Sequence, residues 1–420
     1  MMHDFGYQKN ELYCEQVPVR KIAERVGTPF YLYSYKTLTE HLEKLESAFK
    51  DISPLICFSM KANSNLAVLR SLVKNGAGLD IVSGGELFRA KKAGCSPSKI
   101  VYAGVGKTDS EIEDAIRAGI LLFNVESVPE LDRIQKAAKK LRKKANVSLR
   151  VNPDVDADTH AHITTGKAES KFGMDMETVH SAFRNKKQYP NLSISGVHVH
   201  IGSQITKGEP FVKAFSKVLG FLTELEREGH EIKFLNLGGG LGIIYSDERP
   251  QTAEDFAKLI LPLLKGKKYR VIFEPGRFIA GNSGIFVTQV LYIKETNAKN
   301  FAIIDGGMND LIRPALYGSF HDVWPLHMNG SAKKVKYDVV GPICESGDFL
   351  AKDRTVNELK AGDIIAFASA GAYGFSMASN YNARPRAAEV MVRGSKFDVV
   401  RDRETLQDLV RGERIPGWMK

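Results

Sequence analysis

Lys61 lies in Phe58-Ser59-Met60-Lys61-Ala62-Asn63-Ser64-Asn65 and closes the apolar run Leu55-Ile56-Cys57-Phe58. An amine at the end of a buried strand can form a Schiff base with an aldehyde, and desolvating it is costly unless something uses it. The same residue also reads as a strand-end lysine that snorkels to water. Two further segments, Gly238-Gly239-Gly240-Leu241-Gly242 and Glu274-Pro275-Gly276-Arg277, each follow an apolar run of their own. Glycines let backbone N–H groups approach phosphate oxygens, and Arg277 adds a charge-assisted bond. A glycine triplet alone is also an ordinary tight turn.

A lysine facing an anion cradle meets the needs of pyridoxal 5'-phosphate, which carries an aldehyde at one end and a phosphate at the other. Glu274 adds a carboxylate that would keep the pyridine nitrogen protonated, the structural alternative being an ion pair with a nearby arginine. His198 and His200 alternate in Gly196-Val197-His198-Val199-His200-Ile201-Gly202-Ser203-Gln204 and so share one side of a strand. His200 is placed to stack on a cofactor ring and Ser203 to reach its phosphate. Asp80, Glu86 and Arg150 read equally as supports behind His200 or Glu274 and as ion pairs within the fold. Later in the chain, Arg313 and Tyr317 suit a substrate carboxylate and Glu345 an ammonium group, while Cys344 could return a proton to a carbanion. Tyr373 stands in Ala370-Gly371-Ala372-Tyr373-Gly374, and these segments flank β-type runs, hence loops.

The elements that must position these residues are legible as alternating apolar runs and amphipathic stretches between about Pro29 and Arg277. Eight runs predict strands: Leu55–Lys61, Leu79–Ser83, Ile100–Gly104, Leu121–Glu126, Ser148–Asn152, Ile194–Ile201, Phe234–Leu237 and Arg270–Glu274. Eight βα units in such a length predict an α/β fold, a (β/α)8 TIM-type barrel with its chemistry at the C-terminal strand ends. Beyond Ile279 the pattern turns β-rich, with runs at Ile285–Lys294, Phe301–Asp305, Lys334–Val340, Ile364–Ala368 and Arg386–Val392. The expected organisation is a cofactor-binding barrel over 29–280 and a second β-rich domain, β-barrel or sandwich-like, from 1–28 plus 281–420.

At 420 residues with 43% hydrophobic content, the chain is sized for two domains. Cys14, Cys57, Cys95 and Cys344 are scattered without disulfide, redox or metal-ligand spacing, so no metal site is expected and a cytoplasmic setting fits. The N-terminus lacks a signal-peptide pattern and no apolar run reaches spanning length, so no membrane association is expected. The net charge of +10 peaks in Lys136 to Lys144, where helical spacing predicts a solvated face and not a nucleic-acid site. A small-molecule substrate is expected instead.

Lys61-Ala62-Asn63-Ser64-Asn65, His200-Ile201-Gly202-Ser203-Gln204, the glycine triplet, Glu274-Pro275-Gly276-Arg277, Cys344-Glu345-Ser346-Gly347-Asp348 and Ser369-Ala370-Gly371-Ala372-Tyr373 together resemble the diaminopimelate decarboxylases. These are fold-type III, alanine-racemase-like pyridoxal phosphate enzymes, and the resemblance covers nearly the whole chain. The barrel motifs are shared with ornithine and arginine decarboxylases. The diaminopimelate-type signal lies in Asn309 to Tyr317, Cys344 to Asp348 and Asn380 to Arg386. The resemblance implies that Lys61 carries the cofactor and His200 stacks on it. It assigns phosphate and pyridine nitrogen to Gly239, Gly240, Glu274, Gly276 and Arg277, and the substrate to Arg277, Arg313, Tyr317 and Glu345. Tyr373 would touch both and Cys344 would be the general acid. It also implies a homodimer in which Cys344 and Glu345 complete the partner's active site.

The implied reaction is decarboxylation of meso-2,6-diaminopimelate at its D-centre to L-lysine and carbon dioxide, the last step of lysine biosynthesis. A decarboxylase for ornithine, arginine or carboxynorspermidine would present a different distal end to Arg313 and Glu345. A racemase would need a base on each ring face, and a noncatalytic pyridoxal phosphate binder would not keep the substrate set.

Overall fold

The computed structural model describes residues 3–155 and 171–419. The chain divides into two compact units, Leu38–Ala280 and Met1–Thr37 with Gly281–Lys420.

In the first unit eight strands close a barrel. They are β1 (Leu55–Ser59), β2 (Gly78–Ile81), β3 (Ile100–Tyr102), β4 (Leu122–Val125), β5 (Ala145–Arg150), β6 (Leu192–His198), β7 (Phe234–Asn236) and β8 (Arg270–Phe273). All eight pairings are parallel, each strand beside the next and β8 beside β1. Leu55, Cys57, Val101, Leu122 and Ile272 make one apolar cluster, the closure that pays for ordering these short strands. The strands are the eight expected from the apolar runs, and each ends one to three residues sooner than expected. Asn65, Ser83, Thr108 and Ser127 each accept a backbone N–H of the following helix, so each βα loop is short and its polar residues stay at the mouth.

Lys107 locks two of these loops. Its fully buried ammonium donates to Gly104 O at 2.8 Å, Asn124 O at 3.1 Å and Glu130 Oε1 at 2.7 Å, using all three of its protons.

The second unit contains a three-stranded meander, Phe5–Gln8, Glu11–Cys14 and Val17–Pro18. A nine-stranded sheet runs in the order Phe349–Asn357, Lys334–Val340, Asn300–Ile304, Gly284–Glu295, Phe30–Ser34, Ala388–Arg393 and Lys396–Arg401. Ile364–Phe367 pairs with both Gly284–Glu295 and Val323–Pro325. The barrel domain was expected to begin at residue 29, with its first strand at Leu55. Instead Phe30–Ser34, buried at every position, lies antiparallel to Gly284–Val287 and parallel to Ala388–Val392. A strand covered on both faces reads alike in a barrel wall and at the centre of an open sheet.

Candidate active site

The turn after β1 sets Lys61. Met60 N donates to Asp80 O at 3.0 Å and Ala62 N to Ser59 O at 3.1 Å, while Asn63 Oδ1 accepts Asn65 N at 3.0 Å. Asn65 then caps the next helix, so the two asparagines of the motif build the turn and leave the lysine exposed. The expected desolvation of Lys61 is therefore not its state here: it stands two residues beyond the buried strand.

Glu274, just past β8, is buried, and its Oε1 accepts Asn236 Nδ2 at 2.5 Å and Asn124 Nδ2 at 2.8 Å. Oε2 lies 3.2 Å from His198 Nε2. Burial alone would raise its pKa, but His198 and the Asn236 bond overcome that and hold the carboxyl at about 2. The structural alternative of an arginine pair is not what surrounds it. Asp80, also buried, takes a 2.5 Å bond from Ser59 Oγ. Burial, then the charge on Glu274, pushes its pKa well up against the opposing pull of Lys61 and Ser59. The two carboxyls are thus pushed in opposite directions, Glu274 down and Asp80 up.

His200 is half-buried, and its Nδ1 accepts Gly239 N at 3.2 Å. Burial, then the positive charges of Arg150 and Lys61, push its pKa well below the usual imidazole range, which agrees with an accepting, unprotonated Nδ1. Arg150 bonds Glu126 Oε1 at 2.7 Å and reaches His200 O at 3.4 Å, so it supports the backbone under the ring. Glu86 instead accepts Val82 N at 2.7 Å and stabilises its own loop.

The loops after β6, β7 and β8 are laced together. Ser203 Oγ accepts from Arg277 Nε at 3.3 Å and Nη2 at 3.2 Å, and Tyr245 OH accepts from Arg277 Nη1 at 2.6 Å. Gln204 grips Ile243 at both backbone groups, with bonds of 2.7 and 3.1 Å. A Cβ on Gly239 would fall 2.2 Å from Glu274 O, and one on Gly240, whose φ is +114°, would fall 2.6 Å from Gly202 O. Only glycine permits this approach. Gly276 is buried and opens the short helix Arg277–Ala280. An ionised buried carboxylate, a neutral oriented imidazole, an exposed lysine and a side-chain-free backbone cradle backed by arginine fit pyridoxal 5'-phosphate.

The second unit gathers the remaining candidates on connected loops. Asp348 accepts Met308 N and Ile343 N, both at 2.7 Å, and Asn382 Oδ1 accepts Cys344 N at 2.7 Å. The Asn309–Tyr317, Cys344–Asp348 and Asn380–Arg386 segments are thereby tied into one assembly. Cys344 and Glu345 are exposed on it, whereas Cys14, Cys57 and Cys95 are buried. Arg313 is buried with its Cζ 5.9 Å from the Tyr317 ring centre. Tyr373 is half-buried at φ +57°, a conformation costly for a bulky side chain and typical of ligand-contact positions.

Tyr245, Asn124, Asn236, Gln204, Lys107 and His321 escaped the sequence reading. Gln204 and Tyr245 stood inside or just beyond quoted motifs; the two asparagines lie near the C-terminal ends of predicted strands, a position that marks barrel mouths. In the basic run, Lys140 pairs with Glu113 at 2.6 Å, and nearby Arg133 pairs with Asp109 at 2.7 Å, as a solvated helix face would. Among the described residues no helix is long and apolar enough to cross a membrane, and no group of three or more potential ligands could hold a metal.

Residues 35–281 match the family described as "Pyridoxal-dependent decarboxylase, pyridoxal binding domain". The chain is 49% identical to the diaminopimelate decarboxylase of Vibrio cholerae over 97% of its own length and 98% of the relative's. Among solved structures it is similar to the Helicobacter pylori diaminopimelate decarboxylase complexed with L-lysine, at 42% identity and TM-score 0.90 over 94% of this chain and 98% of that one. The M. jannaschii enzyme in co-complex with L-lysine gives 37% identity and TM-score 0.94 over 99% of both. With these identities over nearly its full length, the chain belongs to the diaminopimelate decarboxylase family of pyridoxal-dependent decarboxylases.

Proposed function

We propose that this chain is a carboxy-lyase that removes the carboxylate at the D-centre of meso-2,6-diaminopimelate, giving L-lysine and carbon dioxide, the closing reaction of lysine biosynthesis. The observation that carries the chemistry is the buried Glu274 carboxylate, which accepts Asn236 Nδ2 and Asn124 Nδ2 on one oxygen and lies 3.2 Å from His198 Nε2 with the other. When bound, pyridoxal 5'-phosphate supplies an aldehyde for amine exchange and an electron sink for the breaking bond. The relatives crystallised with L-lysine support the product.

In this reading Lys61 anchors the cofactor, and His200, neutral and fixed by Gly239 N, backs its ring. Glu274 keeps a proton at the pyridine nitrogen. Ser203, Gly239, Gly240, Gly276 and Arg277 hold the phosphate, with Arg277 also facing substrate. Arg313 and Tyr317 bind the distal carboxylate, Glu345 the distal ammonium, and Tyr373 both cofactor and substrate. Cys344 delivers a proton to the carbon that has lost its carboxylate. A homodimer in which Cys344 and Glu345 complete the partner's site accords with the exposure of both on one loop. Three buried, unpaired cysteines accord with a reducing cytoplasm.

Chiral chromatography of the products formed from meso-diaminopimelate by the cofactor-loaded protein tests the reading. L-lysine alone is expected; D-lysine, or no lysine, contradicts it. Mixing Lys61→Ala with Cys344→Ala subunits tests the shared site, since activity returns only if one site can take Lys61 from one subunit and Cys344 from the other.

A further inference from the structure

Arg313 does not hold itself in place. Its Nε donates to His321 Nε2 at 3.3 Å and its Nη2 to Ser319 Oγ at 3.2 Å. His321 is fully buried, and its Nδ1 lies 2.8 Å from Ala368 O. A carbonyl oxygen only accepts, so Nδ1 carries the proton; Nε2 must then be the lone-pair nitrogen that receives Arg313. The network itself selects the neutral Nδ1–H tautomer.

The anchor is stiff. Ala368 N donates to Asp322 O at 2.9 Å, and the next residues, Val323–Pro325, pair with Ile364–Phe367. Past Ala368 the chain runs through Ser369, at φ +56° and bonded by Asn282 Nδ2 at 2.9 Å, to Tyr373 at φ +57°. His321 therefore joins Arg313, through two hydrogen bonds, to the segment that carries Tyr373.

We propose that His321 is a positioning residue for substrate selection: as a neutral acceptor it fixes the guanidinium plane of Arg313 in register with the Tyr373 loop. This rests on the reading that Arg313 meets the distal carboxylate. Replacing imidazole by an apolar ring removes the acceptor that the buried Arg313 Nε now uses and loosens the hold on the guanidinium plane, while the cofactor residues of the barrel are untouched.

The test compares His321→Phe, His321→Gln and Arg313→Ala in the cofactor-loaded enzyme. His321→Phe should raise KM for meso-diaminopimelate about tenfold, leave kcat within about threefold and leave the pyridoxal phosphate Kd unchanged, the loss expected for one bond to a charged donor. His321→Gln can accept through its carbonyl and donate through its amide, and should restore most of the KM. A raised KM in Arg313→Ala together with a wild-type KM in His321→Phe overturns the inference and leaves the role of Arg313 standing. A wild-type KM in Arg313→Ala overturns that role and the inference with it. Should His321→Phe fail to fold, His321→Met, apolar and more adaptable in the same space, carries the test, and an unchanged KM overturns the inference.

Discussion

Asn236 and Glu274, at the ends of adjacent strands β7 and β8, meet at 2.5 Å through Nδ2 and Oε1. That bond, with Asn124 on the same oxygen and His198 near the other, keeps a buried carboxylate charged where a cofactor nitrogen would need a counter-charge.

Glu274→Gln keeps the shape and removes the charge. Turnover should fall by about 100-fold or more, the scale of losing one preorganised electrostatic group, while pyridoxal phosphate still binds. The measurement is kcat alongside a cofactor titration, and near wild-type turnover would contradict the role.

The two neighbouring carboxyls predict opposite pH trends in stability. Glu274 has its folded pKa depressed, so its stabilisation is present above the ordinary 4.5 and lost as pH falls towards about 2. Asp80 has its folded pKa raised, so its contribution is present below the ordinary 3.8 and lost as pH rises. Asp80→Asn should therefore gain in melting temperature relative to wild type on going from acid to neutral pH, and a relative loss would contradict the upward push on the Asp80 carboxyl.

Tyr245→Phe deletes the oxygen that accepts Arg277 Nη1 and keeps the ring. Titration of the apoenzyme should show the pyridoxal phosphate Kd raised about three- to tenfold. An unchanged Kd would show that Ser203 alone orients the arginine.

Lys107→Met strands Glu130 without its buried partner and should cost about 3–5 kcal/mol in urea unfolding, whereas the Lys107→Met, Glu130→Leu double variant should recover most of it. A single variant as stable as wild type would contradict the pairing.

Iodoacetamide should label Cys344 ahead of the three buried thiols, with loss of turnover and protection by substrate. Labelling read by peptide mass, with activity retained, would remove Cys344 from the reaction.

What was readable in the sequence follows from what periodicity encodes. Barrel strands showed as apolar runs because both faces are covered, and Lys61, the glycine triplet and Glu274 stood out because each interrupts or ends such a run. Phe349–Asn357 and Lys396–Arg401 did not show, since charged and exposed positions break their alternation. Asn124, Asn236 and His321 are legible only through partners far along the chain: Asn124 meets Glu274 across 150 positions. No local pattern carries that pairing. Phe30–Ser34, which pairs with Gly284–Val287 and Ala388–Val392, was not read as a strand of the β-rich domain for the same reason: its pairing partners lie far along the chain.

The most direct measurement of the central claim is carbon dioxide release by the purified, pyridoxal phosphate-loaded protein from meso-diaminopimelate, ornithine, arginine and lysine side by side, with Lys61→Ala as control. Selective release from meso-diaminopimelate that vanishes in Lys61→Ala is the predicted result. Release from another of the four, or release that survives in Lys61→Ala, would contradict the account.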